Sequence, residues 1–337
     1  MKLSIIMPVF NAESTLKRSI ASFQELSKQL NDVTLWVIDD CSTDGSLKLL
    51  QDIAESDINI NILINEKNIG PGPSRNIALE KINLGYIGFI DSDDEIIPHQ
   101  YYKSFVTGAK KSVELITCNG WVFKNGVDNP RYDFHRLTYN NHEIVRKCLR
   151  GEFDGSVIFS IYSASLVQKH NLRFSAGFYE DIPFSYAAMM LSSKLFISNS
   201  YSYRKINRQG SIINTVSKMH LQGLLRSPIA VQNTIISNFL SNYPEFQEDF
   251  SYGMHGYIAS AIISVLLNGG SDRNKIYLLQ YLRDLIRFNN DIDNMSMRSS
   301  TSKDILTRSF LEIKHEFTSD ILVEISLLYK NLFKIVP

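Results

Sequence analysis

Cysteine is scarce in this chain, with three in 337 residues: Cys41, Cys118 and Cys148. They make no CxxC pair, and any pairing leaves an odd thiol, which argues against a zinc site or disulfide framework and for a reducing compartment. Charge of one sign is not in excess. Lysine plus arginine and aspartate plus glutamate number 35 each, so the basic footprint of a dedicated nucleic-acid binder is missing. Long hydrophobic runs are absent too. The longest candidate, Tyr257 to Leu267, is about half of the ~20 residues a spanning helix needs and reads as a buried core helix. The N-terminus opens directly into Leu3-Ser4-Ile5-Ile6-Met7-Pro8, without the basic start, apolar centre and small-residue cleavage site of a signal peptide, so the cytoplasm is the expected location. No repeat of about 20–50 residues and no low-complexity tract is found, which argues against a solenoid.

The hydrophobic fraction, 44%, supplies an ample core, and the length exceeds the usual size of one domain. Residues 3–9 read as a strand, and Leu16, Ile20, Phe23 and Leu30 then recur at helical spacing. The unit repeats: a strand over Val33–Ile38, a helix over Gly45–Glu55, a strand over Ile60–Ile64, a helix over Pro73–Ile82 and a strand over Tyr86–Ile90. Such alternation specifies an α/β fold with a mostly parallel sheet. A further strand is expected over Leu115–Phe123, a loop over Lys124–Arg136 and a helix after Glu180-Asp181. Beyond about residue 215 five segments carry leucine, isoleucine and phenylalanine at helical spacing. The expected division is therefore an α/β domain over 1–214 and a helical domain over 215–337.

In a parallel sheet everything that follows a strand collects on one edge, where open α/β folds bind ligands. That gathers Pro8–Asn11, Asp39–Asp44, Asn65–Asn76 and Asp91–Asp94 into one crevice. Asp91-Ser92-Asp93-Asp94 puts three carboxylates in four residues. A helix start needs one such acid, whereas a hard divalent cation explains several. Asp39-Asp40-Cys41-Ser42-Thr43-Asp44-Gly45 offers acceptors for a base N–H or ribose hydroxyls, although capping alone accounts for Ser42, Thr43 and Asp44. Asn68-Ile69-Gly70-Pro71-Gly72-Pro73-Ser74-Arg75-Asn76 is a stiffened turn entering a helix that carries an arginine, which suits a diphosphate. It is not GxxxxGK[ST], and Arg75 stands where GxGxxG needs its last glycine, which argues against a dinucleotide-binding dehydrogenase.

Taken together, Ser4-Ile5-Ile6-Met7-Pro8-Val9-Phe10-Asn11, Val37-Ile38-Asp39-Asp40 with Ser42, Asp44 and Gly45, Asn68-x-Gly70 with Arg75-Asn76, and Phe89-Ile90-Asp91-Ser92-Asp93-Asp94 resemble family 2 glycosyltransferases in order and spacing. The resemblance covers roughly the first hundred residues. It implies a GT-A fold, a nucleotide-diphosphate sugar donor, a UDP-sugar by default, and inversion at the anomeric carbon. It places Pro8, Asp39 and Asp40 at the nucleoside, Arg75 near the donor sugar or diphosphate, Asp91 at the ribose and Asp93 on Mn²⁺ or Mg²⁺. The carboxylate base such enzymes need matches Phe178-Tyr179-Glu180-Asp181-Ile182-Pro183-Phe184, with Asp181 in the base position. A sugar hydroxyl attacks poorly until a positioned carboxylate accepts its proton. Tyr203-Arg204-Lys205-Ile206-Asn207-Arg208-Gln209-Gly210-Ser211-Ile212 resembles the loop that closes over the donor diphosphate, with Arg204, Arg208 and Ser211 as its ligands. His220 has no paired spacing and reads as structural. The acceptor implied is a glycan or lipid-linked glycan of a bacterial capsule, O-antigen or teichoic acid.

Two other readings stand beside this one. A sugar-1-phosphate nucleotidyltransferase also combines an α/β fold with acidic metal ligands, but it wants a glycine-rich basic loop where Pro8-Val9-Phe10-Asn11-Ala12 stands. A catalytically silent scaffold of a glycan-assembly complex conflicts with intact Asp40, Asp93 and Asp181. The last segment, Ile321–Ile335, mixes apolar faces with lysines. It fits packing on its own domain, on a second copy in a homo-oligomer, or on a membrane surface, with core packing the expectation.

Overall fold

The computed structural model describes residues 1–131, 141–207, 216–239, 245–287 and 301–334. The chain forms two compact units, one made of residues 1–144 and 154–208 and the other of 145–153 and 209–337. The second unit thus takes a short excursion from within the first stretch of chain, which a single cut at 214/215 does not include.

The first unit opens with β1 (Leu3–Val9), α1 (Glu13–Ser27), β2 (Val33–Asp39), α2 (Ser46–Ala54), β3 (Ile60–Ile64), α3 (Pro71–Leu79) and β4 (Tyr86–Phe89). Every residue of β1 is buried, as expected of a strand covered on both faces. In α1, Leu16, Ile20 and Phe23 form the buried stripe that seats the helix on the sheet. The strands β3, β2, β1 and β4 lie side by side in that order, and all pair in parallel. β1 meets β4 only through Ile6 opposite Phe89, whereas its pairing with β2 continues to Val9 opposite Asp39. Pro8 lies in that last stretch, past the ladder with β4, where a missing N–H breaks no pairing with that strand.

Past β4 the sheet becomes mixed. The chain adds β5 (Glu95–Ile96), α4 (Pro98–Lys110), β6 (Leu115–Lys124), β7 (Val127–Pro130), a 3₁₀ turn (Val157–Phe159), β8 (Ser160–Ser163), α6 (Ala164–Lys169), α7 (Asp181–Leu191) and β9 (Leu195–Ile206), with α5 (Asn141–Leu149) between β7 and the turn. The full order is β3-β2-β1-β4-β8-β6-β9-β5, with β7 beside β6. β8 is antiparallel to both β4 and β6, while β6 and β9 run parallel with a bulge around Asn119. β7 falls where a loop was expected. It is an exposed edge strand ending in proline, and its hairpin turn has Asn125 and Gly126 both at positive φ, a strong hairpin signal that a glycine- and asparagine-rich reading treats as loop.

The other unit holds α8 (Lys218–Phe239), α9 (Glu245–Asn268), α10 (Asp272–Arg287), α11 (Ser302–Leu311) and α12 (Ser319–Leu332). Met254, Ile258, Ala261, Ile262 and Val265 of α9 are wholly buried. From Phe246 to Asn268 this helix is long and apolar enough to cross a membrane by length and composition, longer than the run read from sequence, and 61% of its most apolar window is buried inside the protein. Gly253 lets the Leu149 carbonyl sit against α9 where a Cβ would collide. Asp249 pairs with Arg146 at 2.8 Å and Arg150 at 3.2 Å, and these contacts tie the 145–153 excursion to the helices. His220 is held by Ser217 Oγ at 2.8 Å.

Candidate active site

The crevice is built from what the sheet leaves at its carboxyl edge. After β1, Asn11 turns at φ 49°, and after β2, Cys41 turns at φ 62°. Non-glycine residues in this region carry strain that surrounding contacts must hold. Here the contacts are reciprocal. The Asn11 N–H donates to Ser42 Oγ (3.1 Å) and its Oδ1 accepts from Thr43 N (2.8 Å), while Asp44 accepts from Glu13 N (3.1 Å) and Ser46 N (3.0 Å). Burial works against the Asp44 charge, yet the donors from Ser46 and Glu13 outweigh it and hold its pKa below the usual value.

The two acids at the end of β2 divide their work. Asp40 is buried and accepts from Asn65 Nδ2 (2.7 Å), Ile69 N (2.9 Å) and Gly70 N (2.8 Å). It therefore ties down the turn before α3, where Gly70 sits at φ 89°, a conformation that favours glycine. Asp39 is 1% exposed. Its Oδ2 accepts from Ser42 N (3.1 Å), but Oδ1 has no partner among the described residues. A buried acceptor left bare costs free energy until a donor arrives, so Asp39 has spare capacity for a base or ribose donor.

Asp91, Asp93 and Asp94 follow β4, and a carboxylate oxygen from each lies within 4.8 Å of the others. α1 holds this turn by its carbonyls: Thr15 and Ser19 donate to Ser92 O (2.9 Å each) and Arg18 donates to Asp93 O (2.6 Å). Asp94 is committed to the fold. It accepts from Tyr203 Oη (3.0 Å) and Ile206 N (2.7 Å), and burial together with the charge of Asp91 raises its pKa well above the usual carboxylate range. Asp91 Oδ1 accepts from Arg75, and its Oδ2 accepts no hydrogen bond from the described residues. Hard oxygens from Asp93 and Asp91, half-buried beside open crevice, suit a divalent cation that retains waters and phosphate oxygens.

Glu180 and Asp181 stand at the start of α7, after Tyr179 at φ 60°. The segment is pinned by an aromatic box in which Phe174 stacks on Phe184 at 4.1 Å and Phe89 meets both edge-on, an arrangement that adds about 0.5–1.5 kcal/mol per pair beyond area burial. The Asp181 carboxylate accepts no hydrogen bond from the described residues. Loss of surrounding water and the charge of Glu180 push its pKa up to about 7, against the opposing pull of Lys205 and Arg75. A carboxylate poised there suits proton acceptance at neutral pH.

Arg75 is buried between these groups, with Nη1 on Glu180 Oε1 and Nη2 on Asp91 Oδ1, each at 2.7 Å. Burial disfavours its charge, but Asp91, Glu180 and Asp181 more than offset this and raise its pKa. Arg75, expected near the donor sugar or diphosphate, thus holds two carboxylates from different loops. Arg204 does not join the cluster. It pairs with Asp128 at 2.7 Å and Glu95 at 3.4 Å and lies 4.3 Å from the centre of the Phe123 ring. Successive residues of a strand face opposite ways, and Tyr203, next to Arg204, is the one that reaches Asp94. Lys205 follows the same alternation, and the charges of Asp91, Asp94, Asp181 and Asp154 overcome the effect of burial and raise its pKa. Strand alternation thus puts Lys205 on the face of Tyr203 and Arg204 on the other. Arg208 and Ser211 lie outside the described residues.

The family model "Glycosyl transferase family 2" matches residues 4–170, a span that contains both acid-bearing turns. The chain belongs to glycosyltransferase family 2. It is similar to an uncharacterized glycosyltransferase of Haemophilus influenzae, 43% identical over 94 residues, a match that covers 28% of this chain and 37% of that relative. It is also similar to the GalNAc(5)-diNAcBac-PP-undecaprenol beta-1,3-glucosyltransferase of Campylobacter jejuni, 25% identical over 218 residues, covering 64% of this chain and 69% of the relative. Among solved structures, that of S. aureus TarS 1–349 in complex with UDP-GlcNAc superposes with a TM-score of 0.72 at 17% identity over 99% of this chain and 92% of TarS 1–349. The fold is thus the GT-A fold with a helical C-terminal region. In this family 2 member the four strand-end turns and the Glu180-Asp181 pair were legible as motifs. Lys205 and the burial of Arg75 were not, because neither has a sequence signature apart from strand register.

Proposed function

We propose that this family 2 member is an inverting glycosyltransferase that moves a sugar from a UDP-sugar to a hydroxyl of a glycan or lipid-linked glycan acceptor in bacterial surface-polysaccharide synthesis, at the cytoplasmic side of the membrane. The observation that carries it is Asp181, a carboxylate that accepts no hydrogen bond from the described residues and whose pKa is pushed up to about 7, close enough to the acid turn to feel the charge of Asp91. Support for the donor comes from Asp39 Oδ1, which has no partner among the described residues and is free to accept from a nucleobase or ribose, with Pro8 and Asp40 proposed beside it at the nucleoside, and from the UDP-GlcNAc in the TarS complex. The undecaprenol-linked substrate in the name of the Campylobacter relative supports the acceptor class.

Asp181 accepts the proton of the acceptor hydroxyl as that oxygen attacks the anomeric carbon from the face opposite the diphosphate. The new C–O bond forms as the bond to the diphosphate breaks, and UDP departs with the electron pair. Asp93, with Asp91 beside it at the ribose, would hold Mn²⁺ or Mg²⁺. When bound, the cation neutralises charge that grows on the leaving diphosphate. Asp94 and Tyr203 keep the acid turn against β9, so that Lys205 adds a fixed positive charge near the leaving group and the base.

The test is UDP release from UDP-sugars, with dTDP- and GDP-sugars alongside, in the presence and absence of Mn²⁺. Metal-stimulated release is expected, and Asp93→Asn should abolish the stimulation while the protein stays folded. Folded protein that releases no nucleotide from any donor, alone or with a polyprenol-linked glycan, would overturn the reading.

A further inference from the structure

One face of α3 makes contacts that the reaction scheme leaves unused. Gly72, Arg75 and Asn76 sit at i, i+3 and i+4, hence on one side of the helix. All three meet the segment that carries the base, about a hundred residues later in the chain. At Gly72 an added Cβ would lie 2.5 Å from the Ser175 carbonyl oxygen and 2.7 Å from Glu180 Cγ, so only glycine permits this approach. Asn76 grips the backbone of Phe174 at both ends, with Nδ2 donating to Phe174 O (2.8 Å) and Oδ1 accepting from Phe174 N (2.9 Å). Arg75 takes Glu180 with one arm and Asp91 with the other. Its guanidinium carbon lies 5.4 Å from the centre of the Phe174 ring, and its side chain is 5% exposed.

We infer that this face of α3 is a positioning clamp, in which Gly72, Arg75 and Asn76 fix the Glu180-Asp181 segment at a set distance from the acid turn after β4. Arg75 is then a positioning residue rather than a ligand of the donor diphosphate. The geometry favours this role because both of its Nη atoms are occupied, at charge-assisted distances, by side chains from two different loops. A planar fork can bridge two carboxylates in this way, and a lysine ammonium reproduces the charge but not the bridge. The consequence is a division of labour. The donor is held by the strand-end loops, while α3 sets where the base stands relative to the anomeric carbon, and displacements of about 1 Å in such geometry cost on the order of a hundredfold in rate.

The inference rests on the glycosyltransferase reading for its kinetic arm and is independent of it for its structural arm. Three variants, Arg75→Lys, Arg75→Met and Asn76→Ala, are compared with the parent by thermal melting, UDP binding, steady-state kinetics and amide hydrogen exchange. Expected for Arg75→Lys and Arg75→Met is a fall in kcat of about a hundredfold, with donor KM and UDP affinity within about threefold. All three variants should show faster exchange over residues 174–181, while β1 and β2 exchange as in the parent. Arg75→Lys, which retains charge and folds most readily, should fail to rescue kcat. A tenfold or larger loss of UDP affinity or donor KM with kcat retained would overturn the clamp and make Arg75 a donor ligand. Unchanged exchange over 174–181 would overturn it also. If the parent protein turns over no nucleotide-sugar, the glycosyltransferase reading fails while exchange alone still decides the clamp.

Discussion

Buried acids in the two units meet opposite fates. In the helical unit they are paired off: Asp249 is shared by Arg146 and Arg150, and Asp304 caps α11 through Thr301 and accepts from His255 at 3.1 Å. In the α/β unit the acids at the sheet edge are only partly satisfied. Asp40 and Asp94 are bound by backbone and side-chain donors, whereas Asp39 Oδ1, Asp91 Oδ2 and the Asp181 carboxylate have none among the described residues. An acid with its donors supplied is architecture, because removing it breaks folding contacts. One without them is stored capacity for ligand or proton, tolerated because the sheet around it is over-determined.

That contrast is best broken at its extremes. The largest effect is expected from Asp181→Asn, which should lower transfer by about a thousandfold while UDP binding stays intact. Near-parent turnover in folded protein would remove Asp181 as base. Next comes Asp249→Ala, which removes a buried carboxylate from two partly exposed arginines and should cost about 2 kcal/mol of stability through the charge-assisted hydrogen bonds lost. Denaturant melts followed in the helical unit would show it, and an unchanged midpoint would mean that these acids are not architectural.

A smaller and sharper effect lies in pH dependence. With its pKa at about 7, Asp181 is the active base only when unprotonated, so kcat/KM should fall tenfold per unit below pH 7 and level off above it. Lys205→Met removes a neighbouring positive charge that favours the ionised form, and should move that limb upward by about one unit. A limb that stays in place would detach Lys205 from the base. The least effect is expected from Arg204→Ala. Its ion pairs lie on the other side of β9 and are partly exposed, so turnover should stay within about threefold and stability within about 1 kcal/mol.

Legibility in the sequence followed the same line between local pattern and tertiary pairing. The βα alternation of the first ninety residues was readable because burial on both faces demands continuous apolar runs, as in Leu3–Val9, and helices demand stripes such as Leu16-Ile20-Phe23. Asp91-Ser92-Asp93-Asp94 was readable as a site, but not which acid does what. Asp94 differs from its neighbours only by meeting Tyr203 and Ile206, more than a hundred residues away. In the basic run after Tyr203 the sequence likewise does not say which cation faces the acids. Strand alternation decides whether Arg204 or Lys205 faces the acids, and the bulge at Asn119 sets the register of the pairing.

The sequence by itself determined the class of sheet, the four strand-end turns that gather on one edge and the helical character of the chain's second part. These follow from periodicity and from the direction of parallel strands, which are local properties. Only the tertiary structure decided that Arg75 bridges Asp91 and Glu180, that Asp40 serves the fold while Asp39 keeps a bare oxygen, and that residues 145–153 belong with the helices. The physical reason is that a charged group's role depends on whether a donor reaches it, and those donors arrive from elements whose distance along the chain carries no periodic signal.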